Sequence, residues 1–245
     1  MKSPFRRNIT FLHTGHIGDI IAFLPIYYAL GGTKILVCDS DWMQPMSGYK
    51  YNSLKPLLES QGIEVNLNEN TPCIDHDMTN WRECYDDHVS LLDAQARFLN
   101  IVDRRKGRMK IDKPWIKVEA DPLTKGRVIF NKTPRYPNPL FPWEKVRKHF
   151  GDRALFVGTE SEHEDFCNRY GSVEYYKTDS CLDVAKAIQG ADYFVGNQSS
   201  SFWIAAALHK PLLQEVFTPA PNSIIKYDGA TYSHDGIINF DKLEK

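Results

Sequence analysis

Several features that most simply betray a function are missing from this chain. No apolar run reaches the roughly 20 residues that a membrane-spanning helix needs, and the basic start Met1-Lys2-Ser3-Pro4-Phe5-Arg6-Arg7 is not followed by the apolar stretch of a secretory leader. The reading is a cytoplasmic protein, peripheral at the inner membrane at most. Five cysteines, at 38, 73, 84, 167 and 181, are odd in number and form no C-x-x-C pair, which excludes a disulfide framework and a structural zinc site. The eight histidines do not cluster with carboxylates at metal-ligand spacing, so no metal and no other cofactor is expected. Charge of either sign is not in excess: 30 Lys and Arg against 31 Asp and Glu give a formal −1, which disfavours nucleic acid as a partner. Dinucleotide-binding G-x-G-x-x-G, the phosphate loop G-x-x-x-x-G-K-[ST] and the nucleophile elbow G-x-S-x-G are all absent.

What is present is alternation. Ile9-Thr10-Phe11-Leu12 reads as a buried strand, Ile20 to Leu30 as a helix, Lys34 to Cys38 as a strand, Ser53 to Ser60 as a helix and Ile63 to Leu67 as a strand. The polar stretch from Asn68 to Trp81 reads as a surface loop, and Asp86 to Val102 as an amphipathic helix. A charged run, Asp103-Arg104-Arg105-Lys106-Gly107-Arg108, breaks the pattern and reads as a solvated linker. The alternation then restarts, with strands at 127–131, 154–158, 173–176, 193–196 and 211–216 and helices at 142–150, 160–170, 182–189 and 202–208. Short apolar strands alternating with helices predict parallel sheets covered by helices. At 245 residues the chain divides into an N-terminal unit, 1–115, and a C-terminal unit, 116–245, facing each other across a cleft.

Three strand-to-helix junctions carry candidate site residues. In Gly15-His16-Ile17-Gly18-Asp19 the glycines permit a sharp turn and close approach of a ligand, and Asp19 lies where a helix leaves N–H groups unpaired. Asp19 also suits a helix cap. In Gly196-Asn197-Gln198-Ser199-Ser200-Ser201 three serines over a helix N-terminus suit a phosphate, and Ser199 or Ser200 equally suits a cap. In Asn131-Lys132-Thr133-Pro134-Arg135 the cations could neutralise a diphosphate or simply face solvent. His13 and His16, flanking the first turn, are candidate substrate contacts.

The first junction, continued as Ile20-Ile21-Ala22-Phe23-Leu24-Pro25, and the segment Ala191 to Ser201 running into Ala205-Ala206-Ala207-Leu208-His209-Lys210-Pro211 resemble the heptosyltransferase-like glycosyltransferases of family nine. That resemblance implies a GT-B fold of two Rossmann-like α/β domains, the N-terminal one binding the acceptor and the C-terminal one the nucleotide-sugar donor. It implies a hexosyl- or heptosyl-type transferase that needs no metal and moves a sugar from a nucleoside diphosphate to a hydroxyl of a lipopolysaccharide or other glycan. By match, Asp19 would be the base for the acceptor hydroxyl, with Gly15, His16 and Gly18 beside it. Asn197, Gln198, Ser199, Ser200 and Thr133, with Lys132 and Arg135, would meet the donor diphosphate. Where family members carry Asp, Thr, Gly and, a few residues on, His, this chain has Gln198, Ser199, Ser200 and Trp203. Two alternatives stand beside this reading: a non-catalytic binder of sugar nucleotides or glycans, and a transferase acting on hydroxylated DNA bases.

Overall fold

Short, largely apolar strands joined by helices build two successive parallel sheets. The structure, a computed structural model, describes residues 8–38, 46, 48–67 and 73–243. Strands β1 (Thr10–Thr14), β2 (Lys34–Cys38), β3 (Glu64–Leu67) and β4 (His76–Asp77) form one sheet in the order β3-β2-β1-β4. Helices α1 (Ile17–Ala29), α2 (Gly48–Ser60) and α3 (Leu91–Phe98) belong to this half. The other sheet contains β5 (Val128–Asn131), β6 (Ala154–Phe156), β7 (Glu174–Tyr175), β8 (Tyr193–Gly196), β9 (Leu212–Glu215) and β10 (Ala230–Ser233), in the order β10-β9-β8-β5-β6-β7. Its helices are α4 (Trp143–Phe150), α5 (Glu160–Tyr170), α6 (Cys181–Gly190) and α7 (Ser200–Ala207). Every pairing is parallel, as the alternation predicts.

Each sheet has one place where the chain, having laid strands to one side, returns to the other: between β1 and β4 in the first, and between β5 and β8 in the second. Open α/β sheets leave a crevice at such points, beyond the carboxyl ends of the strands.

Alternation in the second sheet splits its side chains between two cores. Ile129, Leu155, Phe194 and Leu212 face one cluster; Val128, Phe130, Phe156, Val195 and Leu213 face the other, with Trp143 and Phe150 of α4 and Phe166 of α5. The first cluster is the larger and is common to both halves, because Phe11, Ile35 and Val37 of the first sheet share it with α6 and α7. Helices α1 and α7 lie at its centre. Ile20 to Tyr27 and Ser201 to Ala207 are buried without interruption, so these helices are apolar on all sides rather than along one stripe.

Pro25 sits inside α1 and has no N–H to offer the Ile21 carbonyl one turn back. The indole Nε1–H of Trp115 donates to that oxygen instead, at 3.0 Å, while the Trp115 backbone N–H donates to Ala207 O of α7 at 2.9 Å. The segment between the halves is thereby tied to the central helix of each. Trp115→Phe is expected to cost about 1 kcal/mol for the lost bond beyond its change of volume. That part should disappear when Pro25→Ala supplies the carbonyl with its own donor, a double-mutant cycle read from urea midpoints.

Several expectations shift. The helix read over Asp86 to Val102 is confined to α3, because the Asp86 carboxylate turns back onto the His88 N–H at 2.7 Å and Ser90 Oγ caps α3 by accepting from Asp93 N at 3.1 Å. At its other end Asn100 takes the left-handed φ of 56° that stops a helix. Within the predicted loop from Asn68 to Trp81, residues 68–72 lie outside the described residues and His76–Asp77 forms β4. Strand β10 was not foreseen; its sequence, Ala-Thr-Tyr-Ser, is largely polar and mostly half-exposed at a sheet edge. Helices α1, α2 and α7 each start two to five residues earlier than the apolar pattern indicates, since first turns are built from polar residues and glycine.

Candidate functional site

The two crevices are one. A cleft of about 1250 Å³ is lined by residues from both halves, with the loops after β1 and β4 on one wall and those after β5 and β8 on the other. Two helix N-termini converge there. A Cβ placed on Gly18, in the first turn of α1, would lie 3.7 Å from Ser200 Cα and 3.0 Å from Trp203 Cδ1 in the first turn of α7, so glycine is what allows the two ends to touch. Each end carries unpaired N–H groups and the positive pole of its helix.

Asp19 is at the third position of α1, not at its cap. His16 holds the cap position, and the Asp19 carboxylate reaches back to accept from His16 N at 2.8 Å. The same oxygen, Oδ2, accepts from Arg82 at 2.8 Å, the guanidinium lying 4.3 Å over the Trp81 ring. Oδ1 takes no hydrogen bond among the described residues, although the carboxylate is mostly buried. Gly15 makes room for this arrangement: a Cβ there would stand 2.8 Å from Asp19 Cβ and 3.0 Å from Oδ2. His16 lines the cleft, and its pKa is held below the ordinary 6.5, first by burial and then by Lys50, Arg135 and Arg82, with Asp19 opposing. The imidazole is therefore neutral at neutral pH.

His13 is a different case and is not a substrate contact. It is wholly buried, its ring tilted against those of Phe23 and Trp81. Gln95 Nε2 donates to the Asp19 backbone carbonyl at 3.0 Å, so Gln95 Oε1, 2.8 Å from His13 Nε2, must be the acceptor and Nε2 carries the proton. His13 Nδ1 is left without a hydrogen-bond partner among the described residues. Burial pushes its pKa down from 6.5 to about 4. In the unfolded chain the ring takes up its proton below about pH 6.5, while the folded one stays neutral to about pH 4, so stability should fall as pH drops through that window. The full loss is about 3 kcal/mol. Urea midpoints measured at neutral pH and near pH 4 should show a correspondingly smaller acid loss in His13→Asn.

On the opposite wall the polar residues divide into those that face the cleft and those that shape it. Thr133, Arg135, Ser199 and Ser200 line it, and Arg135 is exposed beside Tyr136. Ser199 is the α7 cap: its Oγ accepts from Phe202 N at 3.2 Å and donates to Asn131 Oδ1 at 2.7 Å. Asn197 is buried and absent from the cleft lining; its amide accepts from Thr133 N at 3.0 Å and donates to the carbonyls of Thr133 and Arg135 at 3.0 and 2.7 Å. It therefore clamps the loop that presents Arg135. Gln198 reaches the cleft wall, but its amide donates to Ala220 O and Asn222 Oδ1 and accepts from Phe217 N. Lys132 points away: its ammonium is buried, 3.2 Å from Glu215 Oε2 and 5.6 Å from the Trp143 ring centre. The structure thus gathers Asp19, His16, Gly18, Thr133, Arg135, Ser199 and Ser200 at the cleft, with Gln198 in its wall, and places Lys132 and Asn197 in supporting roles.

Arg82 was missed. It sits in a short 3-10 turn, Trp81–Cys84, within a stretch without hydrophobic period. The two-residue β4, with bonds from Trp81 Nε1 to Thr14 O and from Met78 N to Leu12 O, brings that turn beside β1. Among the described residues no group of three or more His, Cys, Asp or Glu is placed to hold a metal ion, and no helix is long and apolar enough to cross a membrane.

No family model matches the sequence, and no curated protein matches it. Solved structures do match in fold. The E. coli heptosyltransferase WaaC, solved with ADP-2-deoxy-2-fluoro heptose, superposes with a TM-score of 0.60 over 97% of this chain and 95% of its own, at 11% identity. The iron-containing dodecameric glycosyltransferase TibC of enterotoxigenic E. coli gives 0.57 over 97% of this chain and 65% of its own, at 15% identity. A family 9 glycosyl transferase of Veillonella parvula gives 0.56 over 94% and 88%, at 12% identity. The chain thus shares the two-sheet GT-B fold of these proteins.

Proposed function

We propose that this protein is a glycosyltransferase that moves a sugar from a nucleoside diphosphate to a hydroxyl acceptor. The observation that carries the proposal is the meeting of two helix N-termini, one from each half, beside a carboxylate whose Oδ1 is unbonded among the described residues. In this reading residues 1–115 form the acceptor unit and 116–245 the donor unit. The donor's diphosphate sits over the first turn of α7, where the Ser200 hydroxyl and backbone N–H groups can donate and Arg135 adds a full positive charge. Charge that develops on the leaving diphosphate is stabilised there without a metal. Thr133 borders the same anion, on a loop that Asn197 holds in place.

Asp19 orients the acceptor hydroxyl through Oδ1 and takes its proton as the oxygen attacks the sugar's anomeric carbon. His16 N and Arg82, both on Oδ2, fix the carboxylate so that one oxygen is committed to the protein and the other to the substrate. The similarity to WaaC, solved with an ADP-heptose analogue, makes an adenine nucleotide of a heptose or hexose the first donor to try.

The test is a thermal-shift screen of nucleoside diphosphates and their sugar conjugates, with and without EDTA. One nucleotide series should raise the melting temperature equally in both conditions. Arg135→Ala should weaken that binding. Absence of a shift with every nucleotide would remove the donor site; a shift without release of nucleoside diphosphate in the presence of glycan acceptors would leave a sugar-nucleotide binder; loss of the shift in EDTA would overturn metal independence.

A further inference from the structure

The basic run that reads as a linker belongs to a longer and more concentrated feature. Residues 104–117 hold seven of the chain's 30 Lys and Arg and one of its 31 Asp and Glu, so this stretch carries +6 while the rest of the molecule carries −7. The segment opens with a turn at 104–106, closed by the Gly107 N–H on Asp103 O at 2.8 Å, and continues without helix or strand, and its apolar members anchor it. Met109 and Ile111 pack against the larger core and Trp115 and Ile116 are buried, so all seven cations are turned outward and exposed. None of them is ion-paired among the described residues. Asp103, just before them, is occupied with the backbone N–H groups of Arg105 and Lys106.

Three of these cations, Lys110, Lys113 and Lys117, rim a groove of about 520 Å³ with Pro25, Tyr28 and Trp115 in its wall. Tyr28 is 41% exposed, one of few large hydrophobic side chains that are. The groove lies toward the C-terminal end of α1, whose N-terminal end forms the catalytic cleft. Gly18 and Tyr28 are about 15 Å apart along the helix, so an occupant of the groove leaves the cleft open.

We infer that the face formed by residues 104–117 and Tyr28 docks on an anionic lipid surface. Phosphate headgroups would meet the unpaired cations while Tyr28 and the apolar wall reach the level where aromatic side chains favour the bilayer interface. Two observations favour a bilayer over nucleic acid: the cations, with Asp112 among them, rim a groove whose wall holds Pro25, Ile111, Pro114 and Trp115 and whose edge carries the exposed Tyr28, and the rest of the molecule is net acidic, which repels a polyanion that follows the protein beyond this strip. The inference stands on charge and exposure alone and does not depend on the transfer reaction.

Vesicle sedimentation of the full chain tests it, with phosphatidylcholine alone and with added phosphatidylglycerol. Binding is expected only with phosphatidylglycerol, and it should vanish between about 0.1 M and about 1 M salt as the screening length shrinks from about 10 Å to about 3 Å. The triple variant Lys110→Glu, Lys113→Glu, Lys117→Glu should bind at least tenfold more weakly. A charge-matched control, Lys125→Glu, Lys145→Glu, Lys226→Glu, carries its changes at exposed positions elsewhere and should bind as wild type. All six positions are exposed, and unchanged thermal melts will show that both variants fold. Absence of binding to phosphatidylglycerol vesicles, equal loss in the control, or tighter binding of a duplex oligonucleotide than of vesicles would each overturn the inference.

Discussion

Asp19→Ala is expected to bind the nucleotide sugar as wild type does and to transfer sugar more slowly by roughly 10²- to 10⁴-fold, the usual range for removing a general base. The separation of the two effects follows from position. Asp19 belongs to α1 and the first sheet, whereas the groups proposed to hold the diphosphate belong to the loops after β5 and β8. Stability should change little by comparison. The variant loses a reciprocal bond to His16 N, about 1 kcal/mol, and releases Arg82, whose side chain is 34% exposed and can be solvated in place. Release of nucleoside diphosphate, followed with the donor that the binding screen identifies, measures the rate. A folded Asp19→Ala protein that turns over at near the wild-type rate would remove the carboxylate from catalysis and leave its bonds to His16 and Arg82 as a purely structural device.

The second large effect lies outside the cleft. Glu215, at the end of β9, is 1% exposed and accepts from Lys132 Nζ at 3.2 Å, from the Asn138 backbone N–H at 2.6 Å and from Trp143 Nε1 at 2.9 Å. Glu215→Ala strands a buried ammonium and two buried N–H groups together. The expected loss is about 3–5 kcal/mol, enough to lower the urea midpoint severely in a protein of ordinary stability. Replacing both charges, as in Glu215→Leu with Lys132→Met, removes the stranded ion and should recover a good part of that loss. If the single variant were as stable as wild type, the Lys132–Glu215 pair would contribute nothing to the fold, and Lys132 would again be available to a ligand.

Lys132 also marks the limit of what the chain reveals before it folds. In Asn131-Lys132-Thr133-Pro134-Arg135 nothing local distinguishes the cation that faces the cleft from the one that faces the core; Lys132 turns inward because an acid 83 residues away is waiting beneath it. The same holds for Asn197, which the family resemblance implies as a diphosphate contact and whose amide is spent on the neighbouring loop. The alternation of apolar strands and helices was legible because burial on both faces of a parallel sheet leaves continuous apolar runs. Gly15 and Gly18 stood out because close backbone approach leaves a compositional trace. Arg82 left none, since a two-residue strand and a single 3-10 turn have no period to detect. Asp19 was legible as a residue of interest, but its bonding was not: which oxygen is tied and which is free depends on Arg82, which arrives from 63 residues away.

The core common to both halves bears on how this protein comes apart. Phe11 and Ile35 of the first sheet, Ile21 and Leu24 of α1, Phe202 and Ile204 of α7 and Phe194 of the second sheet are members of one packed cluster. An architecture that suggests two modules should therefore unfold as one cooperative unit, because neither half can be solvated without exposing the apolar face of the other. Denaturant melts followed by tryptophan emission and by far-ultraviolet circular dichroism should coincide in a single transition. A proteolytic cut among the exposed residues 103–106 should leave two fragments that migrate as one particle until denaturant separates them.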